Sequence, residues 1–262
     1  MPMHLRLIFF LILLLSTITL SADNTYKRPA TILAAGNLKF VFPQIIQKFY
    51  QKYPNASIHI QYGASGNLTE SIMQGKEYDI FFSADTTYPK MIYKNGKSAT
   101  KPQKYAQGLL ILFVPSNPSL ADKKLKILAD TKINAITVAN SANAPYGVAA
   151  MEVIKNSQCC QNTRNKIHYS SDVATAIDNV IWQGNAGFLS KSALFMIPDN
   201  RKKEGVDWID IDTKLYAPII QAYVISKEGL KNDNAQKFLH FIESKEGQKI
   251  FRDNGYKNIK PE

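Results

Sequence analysis

A strand-to-helix junction that repeats along the chain constrains the fold more than any other feature. Thr31-Ile32-Leu33-Ala34-Ala35 is an apolar run of strand length, broken at Gly36-Asn37. Leu38, Val41, Phe42, Ile45, Ile46 and Phe49 then recur at helical spacing. Asn37 stands where an N-cap belongs. Pro43 lies past the first turn of a helix begun at Leu38, where its missing N–H and its ring are unwelcome. A short separate turn is therefore expected first, with the regular helix starting nearer Pro43.

The pattern returns. Ser57 to Tyr62 alternates like a strand, Gly63-Ala64-Ser65-Gly66-Asn67 turns, and Leu68 to Met73 reads as a helix. Tyr78 to Ser83 is a third strand. Ser83 or Asp85 can cap the helix carrying Tyr88, Met91 and Ile92, and Asn95-Gly96 stops it. Leu109 to Pro115, after Gln107-Gly108, has the composition of a central strand, and Lys123 to Asp130 that of a short exposed helix. Ala135 to Ala139 is a strand, and Ser141 to Gly147 a turn opening a helix from Val148 to about Ser157. A short strand at Lys166 to Tyr169 leads to Ser171-Asp172. That pair caps a helix with Val173, Ala176, Ile177, Val180 and Ile181 on its apolar face. Ala186-Gly187-Phe188-Leu189 and Ile219 to Ile225 are further strands, and Asn234 to Phe251 is an amphipathic helical region. Strand, polar turn and helix thus alternate four times, which predicts a doubly wound α/β architecture with mainly parallel sheets.

Ligands of such folds sit beyond the carboxyl ends of the strands. A helix start there carries unpaired N–H groups and partial positive charge. Two starts aimed at one point make an anion site without a basic side chain. An ordinary pair of capped turns would have the same sequence.

The first segment is different in kind. Met1 to Arg6 carries His4 and Arg6, Leu7 to Leu15 is unbroken and apolar, and small residues follow at Ser16, Thr17, Thr19, Ser21 and Ala22. Residues 1–22 read as a secretory signal peptide, cleaved after Ser21 or Ala22 and too short to span a bilayer. No cysteine lies near that junction, so a lipid anchor there is not expected. The mature chain is expected in a bacterial periplasm.

The formal charge of +11 admits nucleic acid, an acidic membrane or an anionic ligand as partner. The basic clusters Lys123-Lys124-Lys126 and Arg201-Lys202-Lys203 lack the interleaved aromatics of a single-strand groove and read as solvated faces. Export argues against nucleic acid. The adjacent Cys159-Cys160 lack the spacing of a redox motif. They could form a strained vicinal disulfide, pair with another chain or stay buried, and a structural or incidental role is expected. Asp207, Asp210 and Asp212 are close enough to suggest a cation site, but they lack the glycine turn of a calcium loop. A strand with a polar edge is expected there.

An enzyme is the competing class. Gly63-Ala64-Ser65-Gly66 after a strand is like a nucleophile elbow, but Asn67 replaces the last glycine. A hydrolase built on Ser65 also needs a histidine base. His59, His168 and His240 read as surface or satisfied histidines, with no metal spacing among them and carboxylates. No catalytic residue and no cofactor is expected.

Taken together, the motifs Ala34-Ala35-Gly36-Asn37-Leu38, Tyr62-Gly63-Ala64-Ser65-Gly66 and Asp79-Ile80-Phe81-Phe82-Ser83-Ala84-Asp85 resemble the periplasmic molybdate-binding proteins of ABC importers. The likeness runs on through Pro145-Tyr146-Gly147, Ser171-Asp172-Val173 and Gly187-Phe188-Leu189. It ends with Glu246 to Phe251 and Asn254-Gly255-Tyr256, so it covers nearly all of the mature chain.

The resemblance implies a two-lobed periplasmic-binding-protein-like fold of type II, with a double crossover between lobes. Residues 28–107 plus 221–262 would form one lobe and 108–220 the other. It implies capture of molybdate or tungstate by a monomer that delivers it to a membrane permease. Sulfate, phosphate and chromate are the alternative anions. The implied oxyanion set is Gly36 through its backbone, Asn37 through an amide N–H where many members carry a hydroxyl, Ser65 through its hydroxyl, and Tyr146 and Val173 through backbone N–H. The subgroup implied is the one with Asn in the first ligand turn. One position departs: many members carry a ligand tyrosine where this chain has Ser190. Tyr146 is expected to compensate with a phenol near the mouth.

Overall fold

A computed structural model of the chain describes residues 28–259. The signal-peptide reading of residues 1–22 lies outside them. In chain order the elements are β1 (Ala30–Ala35), α1 (Phe42–Lys52), β2 (Ile58–Gly63), α2 (Ser65–Met73), β3 (Ile80–Ser83), α3 (Thr87–Lys94), β4 (Gln103–Gly108), β5 (Leu110–Phe113), α4 (Leu120–Lys123) and β6 (Ile136–Ala139). They continue with α5 (Pro145–Asn156), β7 (Ile167–Ser170), α6 (Val173–Trp182), β8 (Ala186–Ser190), β9 (Trp208–Asp210), β10 (Ile219–Ile225), α7 (Lys227–Lys231), α8 (Asp233–Glu243) and α9 (Lys245–Asp253).

The strands form two five-stranded sheets, ordered β2-β1-β3-β10-β4 and β7-β6-β8-β5-β9. In the first, β1 is parallel to β2 and β3, while β10 runs antiparallel to β3 and β4. In the second, β6 is parallel to β7 and β8, while β5 runs antiparallel to β8 and β9. Each sheet is therefore mixed: four strands point one way, and the one that opposes them adjoins a passage between the sheets. The chain leaves the first sheet after β4 and returns with β10, which gives the two-lobed fold with its double crossover.

Side-chain alternation explains why the parallel strands look uniformly apolar. Along β1, Ile32 and Ala34 enter an aromatic core beneath α1 and α8, while Leu33 points to the opposite face with Leu68, Ile72 and Ile92. Both faces are covered, so no polar face is needed. Phe42 packs edge-on against Phe82 and Phe238, each at a centroid distance of 5.6 Å, the arrangement that aromatic quadrupoles favour. Asp79, fully buried at the base of β3, pairs with Arg28 at 2.6 Å and accepts from Thr31 N at 2.7 Å.

Pro43 behaves as expected. Gly36–Phe40 is a 3-10 turn, and the α-helix starts at Phe42 with Pro43 inside its first turn. Asn37 is not an N-cap; it lies within the 3-10 turn, whose cap position is Ala35. α5 begins three residues earlier than expected, at Pro145, because proline needs no acceptor at a first helical position. The stretch read as an exposed helix is α4 followed by a 3-10 turn over Lys124–Ala129, and it buries Ile127 and Leu128. The terminal helical region is split at Ser244, whose hydroxyl accepts from Gly247 N and starts α9. Strand β4 has no counterpart in the sequence reading.

The three aspartates have separate tasks. Buried Asp207 accepts from Ser116 N and Lys203 N, Asp210 pairs with Lys191 at 2.7 Å, and Asp212 caps a short turn at Lys214 N. Lys123 and Lys202 pair with Asp130 and Asp199 on exposed faces. Cys160 is buried, with its thiol facing the Leu125 carbonyl at 3.6 Å. The side chain of Cys159 lies outside the described residues.

Candidate oxyanion site between the sheets

The register aligns the carboxyl ends of the parallel strands. Ala35 is level with Gly63, and Ala34 with Phe82, so the Gly36 turn, the start of α2 and Ala84 lie along one edge. In the second sheet Ala139 is level with Ser170, and the starts of α5 and α6 follow from that edge. The two edges face each other. Gly66 N donates to Asn143 O at 2.8 Å, and Asn143 Nδ2 donates to Asn67 Oδ1 at 2.8 Å. A methyl group on Gly36 would come within 3.2 Å of Asp172 Oδ1.

All five residues of the implied set are buried: Gly36, Asn37, Ser65, Tyr146 and Val173. At α6, Asp172 accepts from Ala174 N and Thr175 N at 2.8 and 2.9 Å, so its cap leaves Val173 N–H as a first-turn donor. At α5, the Ala144 carbonyl accepts from Gly147 N and Val148 N and Pro145 has no N–H, which leaves Tyr146 N–H. At α2, Ser65 Oγ accepts from Ala84 N at 3.0 Å and keeps its own proton to donate. First-turn amides have no partner inside their own helix, so these starts present donors of one sign from both sheets.

Among the described residues, the neighbouring turns direct no cation at this cluster. Lys39 is exposed, and Lys191 is held by Asp210 and stacks over Trp208. On the first sheet, Asp85 has its carboxyl raised by burial, opposed by hydrogen bonds from Ser83, Tyr88 and Thr87. It accepts from Tyr88 N at 3.2 Å, which is the helix-start role the sequence suggests.

Two details differ from expectation. The Tyr146 phenol is not at a mouth. It is 3% exposed and turns inward, where it accepts from Gln221 Nε2 at 3.1 Å and packs on Gly108. Helix α5 points that side chain at the crossover strands, against Gln221 of β10 and Gly108 of β4. Asn37 Nδ2 also points inward, donating to Gln221 Oε1 at 3.0 Å and to Tyr256 OH at 2.9 Å. Its Oδ1 is buried and has no partner among the described residues.

Sequence reading missed the network behind Asn37. Tyr256 OH also lies 3.2 Å from Asn37 O and 3.3 Å from Ser192 Oγ, and Ser192 Oγ donates to Ser190 Oγ at 3.0 Å. Ser190 is therefore part of a buried hydroxyl chain ending in the Tyr256 phenol. Burial raises the Tyr105 and Tyr146 phenols well above their ordinary range and Tyr256 to about 12, which keeps all three neutral. Two clefts lie away from these five residues. One of about 420 Å³ runs between α3 and α5, lined by Asp85, Tyr88, Val148 and Ile220. Another of about 320 Å³ sits at the opposite end of the first sheet, beside Arg28 and Tyr78.

The hydrolase geometry is not assembled. Ser65 Oγ faces a backbone N–H, and His59, His168 and His240 are each exposed.

Two α/β lobes with opposed helix starts define a solute-binding architecture. The model of the family described as bacterial extracellular solute-binding protein matches residues 30–257, and the chain belongs to that family. It is 28% identical over 229 residues to the molybdate-binding protein ModA of Rhodobacter capsulatus, covering 86% of this chain and 87% of that one. It is 26% identical over 228 residues to ModA of Azotobacter vinelandii, covering 86% and 88%. The solved periplasmic molybdate-binding protein of Azotobacter vinelandii superposes with a TM-score of 0.76 at 25% identity, over 89% of this chain and 100% of that one.

Proposed function

We propose that this chain is the extracytoplasmic capture component of an ABC importer and that its cargo is molybdate, with tungstate held in the same way. The observation that carries this reading is the facing of helix starts from two sheets, joined by the Gly66 N–Asn143 O bond, with the five implied residues buried at those turns. The relatives described as molybdate-binding support the choice of anion.

In this reading Gly36, Asn37, Ser65, Tyr146 and Val173 surround the anion. A tetrahedral dianion needs donors on all four oxygens. About seven hydrogen bonds to a charged group, at ~1.5–3 kcal/mol each, contribute on the order of 10–20 kcal/mol before dehydration. Much of that offsets the cost of stripping water from a dianion. Fixed peptide dipoles then select by radius, which favours molybdate and tungstate over the smaller sulfate. The lack of a countercharge limits retention, as delivery to a permease requires.

Residues 28–107 plus 221–262 act as one lobe and 108–220 as the other. The end of β4 at Gly108 and the start of β10 at Ile219 lie within two residues of these bounds and support the division. Residues 1–22 direct export to the periplasm, where the protein works as a monomer without a cofactor. No helix among the described residues is long and apolar enough to cross a membrane.

The test is isothermal titration of the mature protein with molybdate, tungstate, sulfate and phosphate. Tight binding of the first two and weak binding of the others is expected. Equal binding of molybdate and sulfate would remove the selectivity, and tight phosphate binding would change the cargo.

A further inference from the structure

Gln221 is completely buried on β10, the strand that returns the chain to the first sheet, and its amide touches both lobes. Its Oε1 accepts from Asn37 Nδ2 at 3.0 Å and from Tyr105 OH at 2.7 Å, and its Nε2 donates to Tyr146 OH at 3.1 Å. Asn37 Nδ2 spends its other hydrogen on Tyr256 OH. An amide nitrogen has two hydrogens, so Asn37 has no side-chain donor left. The branch facing away from Gln221 and Tyr256 is Oδ1, buried and without a partner among the described residues. A lone carbonyl oxygen beside an oxyanion repels it, and an unpaired buried acceptor is itself destabilising.

Turning Asn37 alone does not help, because its Oδ1 would then face Gln221 Oε1 at hydrogen-bond distance. Turning both amides does. Gln221 Nε2 would then donate to Asn37 Oδ1 and to Tyr105 OH. Tyr105 OH would donate to Ser83 O, which lies 3.1 Å away. Gln221 Oε1 would accept from Tyr146 OH, and Tyr256 OH would donate to Asn37 Oδ1. Phenols reverse direction without moving heavy atoms. The Asn37 main-chain carbonyl gives up Tyr256 OH and keeps Ser192 Oγ at 3.5 Å, the orphan acceptor disappears, and Asn37 presents an N–H on its open branch.

We propose that Gln221 is a positioning residue that sets the polarity of the Asn37 amide, so that Asn37 turns an N–H toward the bound oxyanion. The inference rests on the oxyanion reading above. It adds that the donor at Asn37 is controlled from the crossover strand, through hydrogen bonds that reach Tyr146 in the other lobe.

The test is a double-mutant cycle on molybdate affinity with Gln221→Met and Asn37→Ala. Gln221→Met keeps length and volume and removes both polar atoms. If Gln221 acts through Asn37, Gln221→Met weakens binding about tenfold in the wild-type background and less than about twofold in the Asn37→Ala background. Equal factors in the two backgrounds overturn the proposal and leave molybdate capture standing. Failure of the unmutated protein to bind molybdate, tungstate, sulfate or phosphate overturns both. If Gln221→Met does not fold, the side-chain amide resonances of Gln221 in the unmutated protein decide. A shift at saturating molybdate is expected, and resonances that do not move overturn the proposal.

Discussion

Ser65 is where the account is most exposed at the scale of single residues. Its hydroxyl accepts from buried Ala84 N–H at 3.0 Å, so it works for the fold as well as for a ligand. Ser65→Ala is expected to lower molybdate affinity about tenfold or more and to cost about 1–3 kcal/mol of stability, since a buried donor loses its partner. Titration and urea unfolding check the two halves, and unchanged affinity would remove Ser65 from the site. The phenol network makes a prediction in pH. Tyr256 titrates near 10 when unfolded and is raised to about 12 in the fold. The folded state holds that proton more tightly, so the stabilisation is present below pH 10 and is lost as pH rises toward 12. Melting temperature should therefore fall through that window, and Tyr256→Phe should flatten the fall. At this scale the sequence was only partly legible. Ser65 and the Asp172 cap stand next to glycines or at helix starts and announce themselves. Gln221 and Tyr105 sit inside strands, and only the three-dimensional pairing of β10 with β4 brings them to Asn37.

Among elements, the α2 start carries a geometric constraint that reaches the opposite edge. A methyl group on Gly66 would lie 2.8 Å from Asn143 Cβ, 2.9 Å from Asn143 Cα and 2.7 Å from Tyr88 OH. The Asn143 atoms belong to the opposite edge, so that part of the clash exists only where the two edges meet, while the Tyr88 hydroxyl on α3 ends a half-buried side chain that can turn aside. Within a helix, alanine is favoured over glycine by about 0.5–1 kcal/mol. Gly66→Ala should therefore keep or raise the melting temperature of the ligand-free protein while weakening molybdate binding at least about tenfold. Normal affinity would show that the Gly66–Asn143 contact is not required for capture. Most helices and parallel strands were readable because capping residues and apolar runs mark them locally. β4 was not, because Gln103-Lys104-Tyr105-Ala106-Gln107-Gly108 is polar and lies at a sheet edge. The split between α8 and α9 depends on a single serine in an otherwise continuous amphipathic pattern.

For the whole molecule, the pattern of alternation predicted the α/β class, and the crossover was legible only through resemblance. The reason is physical: the pairing of β10 with β3 and β4 joins segments more than a hundred residues apart, and no local signal records it. Binding to the folded state alone should add roughly 2.7 kcal/mol of stability at a hundredfold excess of ligand over its dissociation constant. His240→Ala, on the exposed face of α8, should leave this increment unchanged. The central claim is that peptide dipoles from two lobes hold a large tetrahedral dianion without a countercharge. A crystal grown with tungstate tests it most directly, through the anomalous signal of the metal. The account predicts tungsten enclosed by Gly36, Asn37, Ser65, Tyr146 and Val173, with no lysine or arginine nitrogen on its oxygens. Tungsten in the cleft between α3 and α5, or against a basic side chain, would contradict it.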